Sequence, residues 1–337
     1  MGEHMLKWLR RGAAALVGLV LVAVAGGAAY EATSRAKARE SYPPPGRLVD
    51  LGGRRLQLDC RGEGSPVVVF QSGLDAMGSL SWSRVHDDVA KVTRACAYSR
   101  AGLMWSDPSP WRFSAGGAAD DLHQALLVAG ERPPYVLVAH SLGGPYALVY
   151  AHRYAFEIAG LVLVEASHPD QAARLDAAAG RSIRPESSQL ALGDALAWTG
   201  LVRLVTARDP FGPPGTPAAV AGPGRAYLPS SVHALRAETD AVPATLAAAR
   251  ADTDLGDLPL IVLTRGTSAA PSGVKLPPGA AARIDAAWRA LQDDETHWST
   301  RGRHEVVADA THYIQFDRPD AVVDAVRDVV RQARAPR

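Results

Sequence analysis

The sequence predicts an α/β protein: a mostly parallel central sheet flanked by helices, with a helical segment inserted late in the chain. Three observations carry this reading. Five apolar runs, at 67–70, 135–139, 161–164, 260–263 and 305–308, are short, rich in β-branched residues and separated by stretches of helical pattern. Such alternation builds parallel sheets covered on both faces. A weaker sixth run lies at 95–98. Between His168 and Leu255 strand signal stops, and the chain is Ala-rich and helical around a Pro/Gly loop at 209–224. Third, the run at 135–139 leads through His140 into Ser141-Leu142-Gly143-Gly144 and then a helical stretch at 146–154, a strand that turns sharply into a helix.

With 337 residues, 47% hydrophobic and 21% charged, the composition is globular and excludes a disordered, collagen-like or disulfide-scaffold protein. Lys and Arg number 36 against 35 Asp and Glu, which leaves no electrostatic footprint for nucleic acid and points to small-molecule chemistry. Two cysteines, Cys60 and Cys96, are too few for a zinc framework and make at most one disulfide.

Taken in order, the chain opens with an uncharged run of 18 residues, 13–30, preceded by Lys7, Arg10 and Arg11 and followed by the polar stretch 31–39. That length spans a bilayer as a signal anchor. The run also fits a secretory signal, with Ala23-Val24-Ala25 as the cleavage site. Arg35, Lys37 and Arg39 nearly balance the basic residues ahead of the run, so the positive-inside comparison is close to even. The catalytic part is expected outside the cytoplasm, anchored to the lipid bilayer, or secreted if the segment is cleaved. Residues 1–41 are assigned to this segment and its linker. Tyr42-Pro43-Pro44-Pro45-Gly46 reads as a stiff spacer, and 48–51 and 55–60 alternate across Gly52-Gly53 as a β-hairpin. Residues 42–167 form the first part of the core, 168–256 a helical cap, and 257–337 the second part. In the last helix Val322, Val323, Val326, Val329 and Val330 recur at helical spacing, and Asp317 is placed to cap it.

Ser141 is the candidate nucleophile. A serine at a tight strand-to-helix turn is pushed out at the carboxyl edge of the sheet, where the helix N-terminus favours developing negative charge. The turn needs small neighbours, and Ala139 and Gly143 supply them.

These features resemble the α/β-hydrolase fold family, from Leu48 to the C-terminus. Gln71-Ser72-Gly73-Leu74 stands where that family carries its oxyanion loop, and Tyr98-Ser99-Arg100-Ala101-Gly102 with Trp105-Ser106 resembles its Asp-Arg-x-Gly-x-Gly-x-Ser stretch. Ala310-Thr311-His312-Tyr313-Ile314 follows the last strand, as the family's catalytic histidine does. The resemblance implies His312 as general base. His140 adjoins the serine on a strand and should point to the opposite side. His304-Glu305 begins like a metalloprotease motif, but Ala308 stands where the second ligand belongs. The acid commonly follows the seventh strand, yet Thr264-Arg265-Gly266-Thr267-Ser268 carries no carboxylate. Glu165, ending the sixth strand, is the better choice, as in haloalkane dehalogenases, with Asp170 and Asp285 in reserve. The backbone N–H groups of Leu142 and Leu74 are expected to form the oxyanion hole. The family's strand order also brings Cys60 near Cys96, so that a disulfide and two buried thiols both remain open.

The resemblance implies a serine hydrolase acting on a carboxylic ester or related acyl compound, with no metal and no organic cofactor. A serine in place of an aspartate nucleophile argues against dehalogenase and epoxide hydrolase chemistry. Acyl transfer, peptide hydrolysis, and a silent ligand-binding or interaction protein are the alternatives. Trp198, Leu201, Leu204, Phe211, Tyr227 and Leu228 supply apolar surface for an acyl pocket or for simple packing.

Overall fold

A computed structural model describes residues 2–183, 187–268 and 276–335. Among them the strands are β1 Arg47–Asp50, β2 Arg55–Arg61, β3 Val67–Gln71, β4 Ala95–Ser99, β5 Tyr135–His140, β6 Ile158–Val164, β7 Leu260–Arg265 and β8 Gly302–Val307. They form one sheet in the order β1-β2-β4-β3-β5-β6-β7-β8. β2 runs antiparallel to both β1 and β4, and every other pair is parallel.

Alternate residues of the central strands feed two separate cores, as a period of two requires. Val69, Leu137 and Leu163 face one core, closed by the helices Ala115–Ala129 and Gly143–Arg153. Val68, Val136 and Val162 face the other, closed by His86–Ala90 and the last helix, Pro319–Arg334. Burial on both faces is why these strands read as continuous apolar runs. The β6 run is longer than the sequence suggests, because Gly160 interrupts its pattern. A Cβ there would lie 2.5 Å from the Val329 side chain, so the glycine lets the last helix approach.

All five valines expected on the last helix are buried, but Asp317 does not cap it. Arg318 is the N-cap, with Pro319 opening the helix at a position whose N–H would be unpaired anyway. Asp317 instead ends the short helix Ile314–Asp317, and its carboxylate accepts from the Thr311 N–H (2.8 Å) and hydroxyl (2.6 Å). It therefore ties down the loop that carries His312.

Cys60 and Cys96 stand directly opposite each other in the β2–β4 register and form a disulfide. Of the two alternatives, the paired one is realised.

Between β6 and β7 the chain leaves the sheet for a helical insertion whose longest helix is Ala218–Arg250. The N-terminal helix Gly2–Ser41 is apolar enough over 18 residues to cross a membrane. Its second half packs on the rest of the protein: Ala38 is buried with Met104, Trp105 and Tyr227. The proline-rich segment after it is also held, since the Tyr42 carbonyl accepts from Trp105 Nε1 (2.9 Å) and the Tyr227 hydroxyl (3.1 Å).

Candidate active site

Ser141 follows β5 with φ 52°, a left-handed backbone that side chains other than glycine rarely take. Packing enforces it. A Cβ on Gly143 would meet the Gln71 carbonyl oxygen at 2.4 Å, and one on Gly144 would meet the Ala166 Cβ at 2.8 Å. The Ser141 carbonyl accepts from Gly144 N (2.9 Å) and Ser167 N (2.9 Å), which locks the turn to the end of β6. His312 Nε2 stands 3.0 Å from Ser141 Oγ, although 171 residues separate them in sequence.

Glu165 ends β6 with φ 50°, the same unusual backbone as Ser141, and is fully buried. His312 Nδ1 lies 3.8 Å from its Oε1, longer than a hydrogen bond. The closer partner is Arg265, whose backbone N–H donates to Oε2 (2.8 Å) and whose guanidinium is in direct contact with Oε1. Arg265 is the last residue of β7 and its guanidinium lies over the Trp288 ring at 5.3 Å. An arginine thus stands at the strand end where the resemblance leads one to seek an acid, and it reaches back to the acid on the neighbouring strand. The reserves are engaged elsewhere: Asp170 contacts Arg250, while Asp285 contacts Arg265 and Ser268. Burial first and then the Glu165 carboxylate push the Glu295 carboxyl well above its ordinary value.

The loop after β3 lies against the serine. A Cβ on Gly73 would fall 2.9 Å from the Ser141 Cβ. Arg100, buried, fixes this loop by donating to the carbonyls of Ser72 (2.7 Å) and Gly73 (2.7 Å). Its charge is matched by Glu238 of the insertion's long helix at 2.8 and 2.7 Å, and its guanidinium sits 4.7 Å from the Tyr146 ring centroid. Among the described residues neither the Leu74 nor the Leu142 N–H is taken by another protein group. The next residue, Asp75, accepts from Met77 N (2.8 Å) and Ser81 Oγ (2.9 Å), and burial raises its carboxyl to about 6.

His140 does not leave the site as its strand position suggests: its ring centroid lies 4.8 Å from that of His312, and a Cβ on Gly73 would fall 3.1 Å from its Nδ1. Its Nε2 donates to the His312 carbonyl (2.8 Å), and its ring packs against Tyr313 at 5.1 Å. Burial and the neighbouring His312 hold its pKa well below the ordinary histidine value, so the ring is neutral at physiological pH. His304 lies on the edge strand β8, where its Nε2 meets Thr264 Oγ1 at 2.7 Å.

Of the apolar residues expected to line an acyl pocket, Phe211 packs beside Met77, Val220 and Phe316, and Leu228 beside Leu103 and Leu235. Tyr227 belongs to the cluster under the N-terminal helix, and Trp198, Leu201 and Leu204 lie on the surface.

Known proteins place this geometry in context. Residues 66–202 match the family described as alpha/beta hydrolase fold. A curated relative, the uncharacterized protein YbdG of Bacillus subtilis, is 27% identical over 127 residues, 37% of this chain and 39% of that protein. The chain therefore spans less than half the length of that relative. Among solved structures, Est816, described as an N-acyl homoserine lactone degrading enzyme, superposes with a TM-score of 0.58 at 18% identity, covering 84% of this chain and 99% of that one. A putative epoxide hydrolase from Pseudomonas aeruginosa gives 0.60 at 19% identity over 86% and 95%. At such identities the likeness is one of fold.

Proposed function

We propose, from the match of residues 66–202 to the alpha/beta hydrolase fold family, that the chain is a serine hydrolase cleaving a carboxylic ester through an acyl-enzyme on Ser141. The observation that carries the reading is the placement of His312 Nε2 3.0 Å from a serine hydroxyl held on a left-handed turn at the carboxyl edge of the sheet. A serine hydroxyl is a weak nucleophile until a base takes its proton. In the proposed cycle His312 accepts the Ser141 proton as the oxygen attacks the ester carbonyl. The Leu74 and Leu142 N–H groups hold the oxyanion, and His312 returns the proton to the departing alcohol. Water, deprotonated by the same imidazole, then attacks the acyl-enzyme, and the imidazolium gives that proton to Ser141 Oγ as the Oγ–acyl bond breaks and the acid leaves.

Glu165 is assigned the third role. Its carboxylate faces Nδ1 at 3.8 Å and is held by Arg265, so it stabilises the imidazolium by charge and draws closer as that charge forms. Est816 is described as an N-acyl homoserine lactone degrading enzyme, which is consistent with acyl chemistry on this fold. The N-terminal helix is proposed to be an uncleaved anchor with the catalytic part outside the cytoplasm, and the Cys60–Cys96 disulfide suits that oxidising side.

Hydrolysis of short and medium acyl p-nitrophenyl esters by the full chain tests the reading. Ser141→Ala and His312→Ala are expected to lower kcat by at least about 10³-fold. Full activity in Ser141→Ala would overturn it.

A further inference from the structure

The N-terminal helix meets the insertion within its own apolar run. Gly27 lies so close to the turn Ala197–Thr199 that a Cβ on it would sit 2.2 Å from the Thr199 carbonyl oxygen. One turn on, the buried Glu31 carboxylate accepts from Arg203 Nε (2.7 Å) and Nη2 (3.0 Å) of the helix Leu201–Thr206. These contacts fix the depth of the insertion relative to the helix.

The apolar run 13–30 has 18 residues. At about 1.5 Å per residue it rises about 27 Å, against a hydrocarbon thickness of about 30 Å. It is flanked directly by Arg11 two residues before it and Glu31 after it, so it has no length to spare for a separate stem. With the run filling the hydrocarbon, Gly27 lies about 4.5 Å inside the far boundary. The part of the insertion that touches Gly27 then reaches the same depth.

What the insertion presents there is apolar. Trp198, Leu201, Leu204 and Val205 are 55%, 44%, 59% and 66% exposed, whereas Arg203, the one charged residue of Leu201–Thr206, is turned inward onto Glu31. This is the reverse of a water-facing helix, which buries its apolar residues and exposes its charges. It is the pattern of a helix lying in a lipid interface, where exposed tryptophan also belongs.

We propose that the face formed by Trp198, Leu201, Leu204 and Val205 is immersed in the outer edge of the bilayer, as a lipid-bound surface continuous with the anchor. The proposal rests on the reading of the N-terminal helix as an uncleaved anchor. Phe211, a few residues past this helix, packs in one apolar cluster with Met77, Phe316 and Tyr313, the chain neighbour of His312.

Nitroxide labels on the full chain in phosphatidylcholine vesicles test it. Both native cysteines are paired, so Leu204→Cys, Val20→Cys and Phe156→Cys each supply a single thiol at an exposed position. Collision with oxygen and with a water-soluble nickel chelate reports immersion. The Leu204 label is expected to resemble the Val20 label, oxygen-rich and shielded from nickel several-fold relative to Phe156. A Leu204 label as open to nickel as Phe156, with Val20 in lipid, overturns the proposed surface and leaves the anchor standing. A Val20 label open to nickel overturns the anchor, and the surface with it.

Discussion

Ser141 and Glu165 are held at φ 52° and 50° on adjacent strand ends. Such backbones cost about 1–3 kcal/mol each and persist where the surroundings impose them, a pattern that clusters at functional sites. For Glu165, a change to Gln keeps the shape and the Arg265 N–H contact but removes the charge facing His312. The expected loss in kcat is about 10²- to 10⁴-fold, with KM little changed, and steady-state ester kinetics measure it. Asp75 supports a second prediction. Burial raises its carboxyl to about 6, so between about pH 4 and 6 the folded protein retains a proton that the unfolded chain has released. Stability contributed through this group therefore falls as pH rises across that window, with the loss complete above pH 6. In Asp75→Asn the slope disappears: the stability of wild type relative to the variant should drop by about 2 kcal/mol from pH 4 to pH 7, read from urea unfolding at each pH. At this scale the meeting of Ser141, His312 and Glu165 was legible because Ser141 and Glu165 follow strand ends and His312 lies in the loop after the last strand. Arg265, Arg100 and Asp317 were not. Arg265 reaches Glu165 across 100 residues and Arg100 reaches Glu238 across 138, and neither pairing leaves a local pattern.

Elements that bury both faces announced themselves as apolar runs, and the central strands stand where those runs lie. β6 begins three residues earlier than its apolar run, because Gly160 serves the close packing of the last helix and carries no strand signal. β8 was only partly legible, since as an edge strand it exposes Arg303, Glu305 and Val306 and alternates imperfectly. The cap expected from Asp317 failed for a related reason: a short helix ends at that residue, and Pro319 starts the next one. The antiparallel β2–β4 pair is cross-linked by Cys60–Cys96 over a separation of 36 residues. Closing a loop of that length in the unfolded chain is worth about 4 kcal/mol in the chain-entropy account. Replacing both cysteines by serine should lower the urea midpoint correspondingly, and adding reductant to the serine variant should then have no further effect.

At the scale of the whole molecule, the sheet delivers Ser141, Glu165 and Arg265 to one carboxyl edge, the end at which open α/β sheets bind their ligands. The loop after β8 brings His312 to the same edge. The insertion is tied to that edge through Glu238, which pairs with the arginine that holds the loop after β3. The N-terminal helix is joined to the insertion through Glu31 and Arg203, so in the proposed anchor reading it sets how the assembly stands relative to a bilayer. With its apolar face in lipid, Trp198→Ser combined with Leu204→Ser should slow hydrolysis of a vesicle-borne long-chain ester about tenfold, while a short soluble ester is turned over as before; each serine removes on the order of 1–2 kcal/mol of apolar burial from the interface. The most direct measurement of the central claim is mass-spectrometric mapping of a fluorophosphonate adduct on the full chain in detergent. A single adduct on Ser141, absent from Ser141→Ala and formed far more slowly in His312→Ala, is the result predicted. A folded protein that takes no adduct, or takes it on another serine, would contradict the assignment of Ser141 as the nucleophile.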